Sequence, residues 1–126
     1  MIAFRAKTLV EENLIPLAME ELDKREVSYN KIKKSEADKV SKKNSKALIL
    51  RSFKKNKMGY FVVQFQSKEV YNYVKKLITK TFRLRITDVD EKNRIITAES
   101  DHLGITLDIL EVLGLNPHFN LSVVYD

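Results

Sequence analysis

The chain of 126 residues has no cysteine and no tryptophan, and holds only three glycines, two prolines and two histidines. Without cysteine there is no disulfide, no thiolate nucleophile and no cysteine-held zinc or iron–sulfur cluster. Gly59, Gly104 and Gly114 are too few and too scattered for a P-loop or a dinucleotide-binding turn, so a nucleotide-dependent enzyme of familiar type is not expected. No run approaches the roughly 18 consecutive apolar residues of a spanning helix. The start, MIAFRAKTLVEENL, carries acidic residues where a secretory leader needs an apolar stretch. The expectation is a cytoplasmic protein without membrane contact.

What the chain has is charge, unevenly placed. It carries 23 basic and 17 acidic residues, a net charge of +6. Residues 24–57 hold 13 basic and 3 acidic residues, a balance of +10, while residues 99–126 hold 5 acidic residues and neither Lys nor Arg. A basic block of this size is the electrostatic footprint of a polyanion site. It is also the composition of a solvated face, because 17 of the 23 basic residues are Lys, which lacks the rigid fork of Arg.

The hydrophobic share, 44%, suffices for an ordinary core, and the length suits a single domain over residues 1–126. Met1–Ala6 alternates as a short strand. Thr8 and Glu11 have capping-box spacing before a helix expected to reach about Lys24, with Pro16 either kinking it or starting its main part. Val27–Ile32 reads as a weak strand. Residues 31–46, KIKKSEADKVSKKNSK, contain seven Lys and read as a mobile loop in preference to a short helix.

Two hairpins follow. Ala47–Phe53 and Tyr60–Gln66 flank Lys54–Gly59, and Phe82–Val89 and Arg94–Glu99 flank Asp90–Asn93. Ser67 is placed to cap a helix over about 68–80 with Val70, Tyr73, Val74, Leu77 and Ile78 as its apolar stripe. Ser100 or Asp101 is placed to cap a third helix to about Leu113, where Gly114 would supply a left-handed terminator. Phe119–Tyr125 reads as a last strand. The fold class is therefore α+β: one domain with a mostly antiparallel sheet of five to seven strands and three helices packed mainly on one face.

Catalytic constellations are thin. Ser100, Asp101 and His102 have the letters of a triad, but neighbours at a helix start diverge where a triad converges. His102 and His118 flank the third helix and would stand about 20 Å apart, too far to act on one phosphate. Asp88, Asp90 and Glu91, with Glu99 and Asp101, could offer oxygen ligands, yet acidic residues at a hairpin turn are turn formers first. No cofactor, no metal and no enzymatic activity are expected.

The expected function is non-enzymatic binding of nucleic acid, DNA or RNA, with low sequence specificity. Lys31, Lys33, Lys34, Lys42, Lys43, Lys54, Lys55 and Lys57 would neutralise phosphates, Arg83 and Arg85 on one strand face would anchor, and Tyr60 would stack a base. The alternative is a small adaptor or inhibitor that meets another protein through its charged surfaces. The basic residues could dock an acidic protein surface, and the third helix is apolar around much of its girth, so Leu103, Leu107 and Leu110, flanked by Asp108 and Glu111, could pair with a basic surface of a second copy in a homodimer or engage a different protein.

Overall fold

A computed structural model describes residues 2–6, 14–55, 58–90, 92, 95–100 and 103–126. Thr8, Glu11, Lys57, Glu91, Asp101 and His102, which carry expectations above, lie outside the described residues. The chain runs β1 (Ile2–Ala6), α1 (Leu14–Lys24), β2 (Asn30–Ile32), α2 (Ala37–Lys43), β3 (Ala47–Lys55), β4 (Met58–Gln64), α3 (Lys68–Lys76), β5 (Arg85–Asp90), β6 (Ile95–Ser100), α4 (Leu103–Leu115) and β7 (Asn120–Val124). A 3-10 turn at Lys34–Glu36 leads into α2, and a π-helical turn at Leu77–Thr81 extends α3.

All seven described strands join one sheet in the order β2-β7-β3-β4-β1-β6-β5. The two hairpins pair antiparallel, Lys55 against Met58 and Asp90 against Ile95, as turn residues between alternating runs predict. The sheet as a whole is mixed, not mostly antiparallel. Strand β7 enters between β2 and β3, parallel to both, and β1 lies antiparallel to β4 but parallel to β6. Parallel pairs need crossover connections, and here helices supply them. Leu121, Ser122, Val123 and Val124 of β7 are all buried, the pattern of a strand covered on both sides.

Three helices, α1, α3 and α4, cover one sheet face. Leu14, Ile15, Ala18 and Leu22 of α1, Val70 and Val74 of α3, and Ile109, Leu110 and Leu113 of α4 meet Leu48, Leu50, Phe61, Val63, Ile96 and Val123 there. Ser67 caps α3 by accepting a hydrogen bond from the Val70 N–H, in keeping with its place in the sequence. Where the charged stretch reads as a loop, the structure has a fourth helix. In α2, Ala37 and Val40 pack with Ile32, Ile49 and Val124 on the opposite sheet face. Seven residues cannot hold a helix unaided in water, so this packing is what makes α2 form.

Two non-glycine residues take left-handed backbone, Glu26 (φ 58°) and Arg83 (φ 52°). Glu26 ends α1: the Val27 N–H bonds the Leu22 carbonyl at 2.9 Å and the Glu26 N–H bonds the Asp23 carbonyl at 3.1 Å. Arg83 ends the π turn, with the Leu84 N–H bonding the Ile78 carbonyl at 2.8 Å. Arg83 is thus a helix terminator and not a member of the strand, which begins at Arg85.

Candidate nucleic-acid interface

The basic segment builds its surface on β2, the 3-10 turn and α2. Residues 37, 40, 41 and 44 turn inward on α2, at helical spacing. Lys39, Lys42 and Lys43, at i, i+3 and i+4, share the outer side and are exposed. Lys31, Lys33 and Lys34 before the helix and Lys46 after it are exposed as well. Among the described residues none of these seven lysines makes an ion pair; the pairs found involve Lys24 and Arg25.

The scaffold beneath them is fixed at both ends. At the start, the Lys33 N–H donates to Glu36 Oε1 at 3.2 Å, and the Lys34 N–H donates to Asp126 Oδ1. At the end, the Lys46 N–H donates to Asn44 Oδ1 at 3.0 Å, and the Asn120 N–H donates to the Lys46 carbonyl at 3.0 Å. Between them Gln64, almost fully buried, donates from Nε2 to Asp38 Oδ1 at 3.3 Å and accepts from Arg51 Nη1 at 3.0 Å. This relay ties α2 to the centre of the sheet through polar groups that are all satisfied.

The residues expected to form one surface fall into three places. Lys31, Lys33, Lys34, Lys42 and Lys43 belong to the β2–α2 edge. Lys54 and Lys55 end β3 at the hairpin tip, and Tyr60, half-buried, stands across from Phe53 in β3 and Arg5 in β1. Arg83 and Arg85 are exposed at the opposite edge, on or beside β5. Six strand spacings separate β2 from β5, about 29 Å. Arg83 and Arg85 therefore do not join the lysine surface, and Arg85 stands across from Glu99. Lys39, Lys46 and Arg51 were not singled out by sequence reasoning. Lys39 becomes visible once α2 is a helix, because Lys42 and Lys43 then follow it at i+3 and i+4.

The surface expected on α4 is largely spent inside the molecule. Leu107 is 6% exposed and Leu110 is fully buried, so both belong to the core. Asp108 and Glu111 sit at the surface but hold Arg25, whose Nη1 lies 2.7 Å from Asp108 Oδ1 and 2.9 Å from Glu111 Oε2. An apolar girth here means a helix packed against the sheet on one side and against its neighbour α1 on another. Among the described residues no three His, Asp or Glu side chains gather as metal ligands. No family model, curated protein or solved structure matches the chain.

Proposed function

We propose that this chain is a non-enzymatic protein that binds nucleic acid through its phosphates, without reading sequence, using the exposed lysines of β2, the 3-10 turn and α2. The observation that carries this reading is seven lysines on one anchored scaffold with no ion pair among the described residues. Within α2, Lys39 opposes Lys42 and Lys43 at like-charge spacing, which costs a short helix a few tenths of a kcal/mol per pair. A polyanion removes that repulsion and releases its own counterions in doing so. The exposed cations of this surface are lysines, which neutralise phosphate without the rigid fork of Arg, so DNA and RNA of any sequence should bind alike.

The test is fluorescence anisotropy of labelled single-stranded and duplex DNA and RNA, titrated with protein at several salt concentrations. Log affinity should fall linearly with log salt. Replacing Lys39, Lys42 and Lys43 together by Ala should lower the slope for duplex by about 2.7, at about 0.9 per phosphate contact. Arg83→Ala, at the far edge of the sheet, should leave the slope unchanged. Absence of binding at low salt, where phosphate contacts are strongest, would sink the proposal.

A further inference from the structure

The sheet ends on one side at β5, which hydrogen-bonds only to β6 among the described residues. At the other end, β2 has three residues with Lys31 among them and Lys33 and Lys34 immediately after, so like charges guard that edge against a second strand. Strand β5 has six residues, no lysine and no proline: Arg85, Ile86, Thr87, Asp88, Val89 and Asp90. Its charge runs from positive at the start to negative at the end. Two copies laid antiparallel bring Arg85 of each against the Asp88–Asp90 end of the other, whereas a parallel pair would stack like on like.

A register irregularity between Ile86 and Asp88 makes both faces match. Arg85 stands across from Glu99, Asp88 across from Thr97 and Asp90 across from Ile95, all on the sheet face that carries Val62 and Gln64. Ile86 stands across from Ala98 and Val89 across from Ile96, both on the helix-covered face. Strict alternation would put Arg85 and Asp90 on opposite faces, and Ile86 and Val89 likewise. With the bulge, a two-fold axis perpendicular to the sheet sets charge against charge on one face and Ile86 against Val89 on the other. Val89 lies on the side where a core belongs and is nonetheless 50% exposed.

We infer that β5 is the pairing edge of a homodimer, a second copy adding its own β5 antiparallel and extending the two sheets into one. The interface is isologous, so it closes at two subunits and leaves both guarded β2 edges outermost. Both α2 helices then lie on the same face of the joined sheet, at its two far ends. This inference stands apart from nucleic-acid binding: either can fail without the other.

Sedimentation velocity of the full chain over a range of concentrations tests it. The mass should rise reversibly from 14.7 kDa toward twice that value. Arg85→Glu and, separately, Val89→Lys should each abolish the rise. Combining Arg85→Glu with Asp90→Lys restores opposite charges across the two-fold and should bring the dimer back, which a merely misfolded variant could not do. A wild-type chain that stays monomeric at every concentration overturns the inference. So does a dimer that survives both single changes, or a charge-swapped variant that stays monomeric.

Discussion

Arg25 and Asp108 lie 83 residues apart in the chain and 2.7 Å apart in space. The same guanidinium nitrogen reaches Glu111, one turn along α4. Arg25 can do this because α1 stops at once behind it: Glu26 takes left-handed backbone and the chain turns so that Val27 re-enters the core. The pair thus fastens the end of α1 to the flank of α4. Arg25 keeps its proton more firmly than an isolated guanidinium, chiefly through the hydrogen bond to Asp108 and against the cost of desolvation.

Removing that fastening has a modest, measurable effect. Asp108 is half exposed, so the network belongs with surface pairs and not with buried ones. Arg25→Ala should destabilise the fold by about 1 kcal/mol, read as a lower melting temperature. The difference from the parent protein should shrink in molar salt, because a solvent-exposed ion pair weakens as salt is added.

Gly114 offers a sharper test. It lies in the last turn of α4 with ordinary negative φ, so it is not the left-handed terminator that its position suggests. Its role is close approach: a Cβ there would run into Cγ1 of Val27 and come within 3.1 Å of Cδ2 of Leu121. Both neighbours are buried and cannot move aside freely. Gly114→Ala should therefore destabilise by about 1–3 kcal/mol through overpacking, despite a helix-propensity gain of about 1 kcal/mol. Urea unfolding midpoints give the comparison, and Val27→Ala in the same chain should return part of the loss.

Gly114 also illustrates where sequence reading stops. A glycine needed for φ and a glycine needed for space look the same in one dimension, and only the third element, β2's approach segment at Val27, separates them. The hairpins were legible because their partners are adjacent in the chain. The insertion of β7 between β2 and β3 was not, since no local feature of Leu121–Val124 names its neighbours. Phe82, Leu84 and Ile86 alternate straight through a helix terminus, and that alternation gives Arg83 the pattern of a strand residue. In the candidate interface, Lys42 and Lys43 were visible as charge, but their common face with Lys39 required a helix that propensity alone did not favour. Leu107 and Leu110 carry the same apolar pattern whether a helix is buried by its own chain or by another, and here its own chain does it.

Tyr29 makes the fold sensitive to alkali. Burial penalises its phenolate, and its Oη donates to Asp23 Oδ1 at 2.9 Å, so the phenol holds its proton above the ordinary value of 10.0. A raised folded-state pKa means that the folded chain binds the proton more tightly than the unfolded one. The associated stability is complete below about pH 10 and is lost as pH rises through the folded-state value. Tyr29→Phe should remove that part of the alkaline decline, so the parent's advantage over the variant narrows above about pH 10. Ultraviolet titration should show a late-ionising component in the parent that is missing from the variant.

The last expectation sets stability against binding at one residue. Lys39 faces Lys42 and Lys43 across one helical turn, and all three are exposed. Lys39→Glu converts both repulsive pairs into attractive ones, with the acid on the N-terminal side, the better orientation. Summed over the two pairs, the change should stabilise the protein by about 1 kcal/mol, seen as a higher melting temperature. If the outer face of α2 holds phosphates, the same change should weaken nucleic-acid binding and lower the salt slope by about one contact. If these lysines serve solubility alone, affinity should not move. A gain in stability coupled to a loss of binding would mark Lys39 as a residue kept for its contact with a polyanion, at the expense of the helix that carries it.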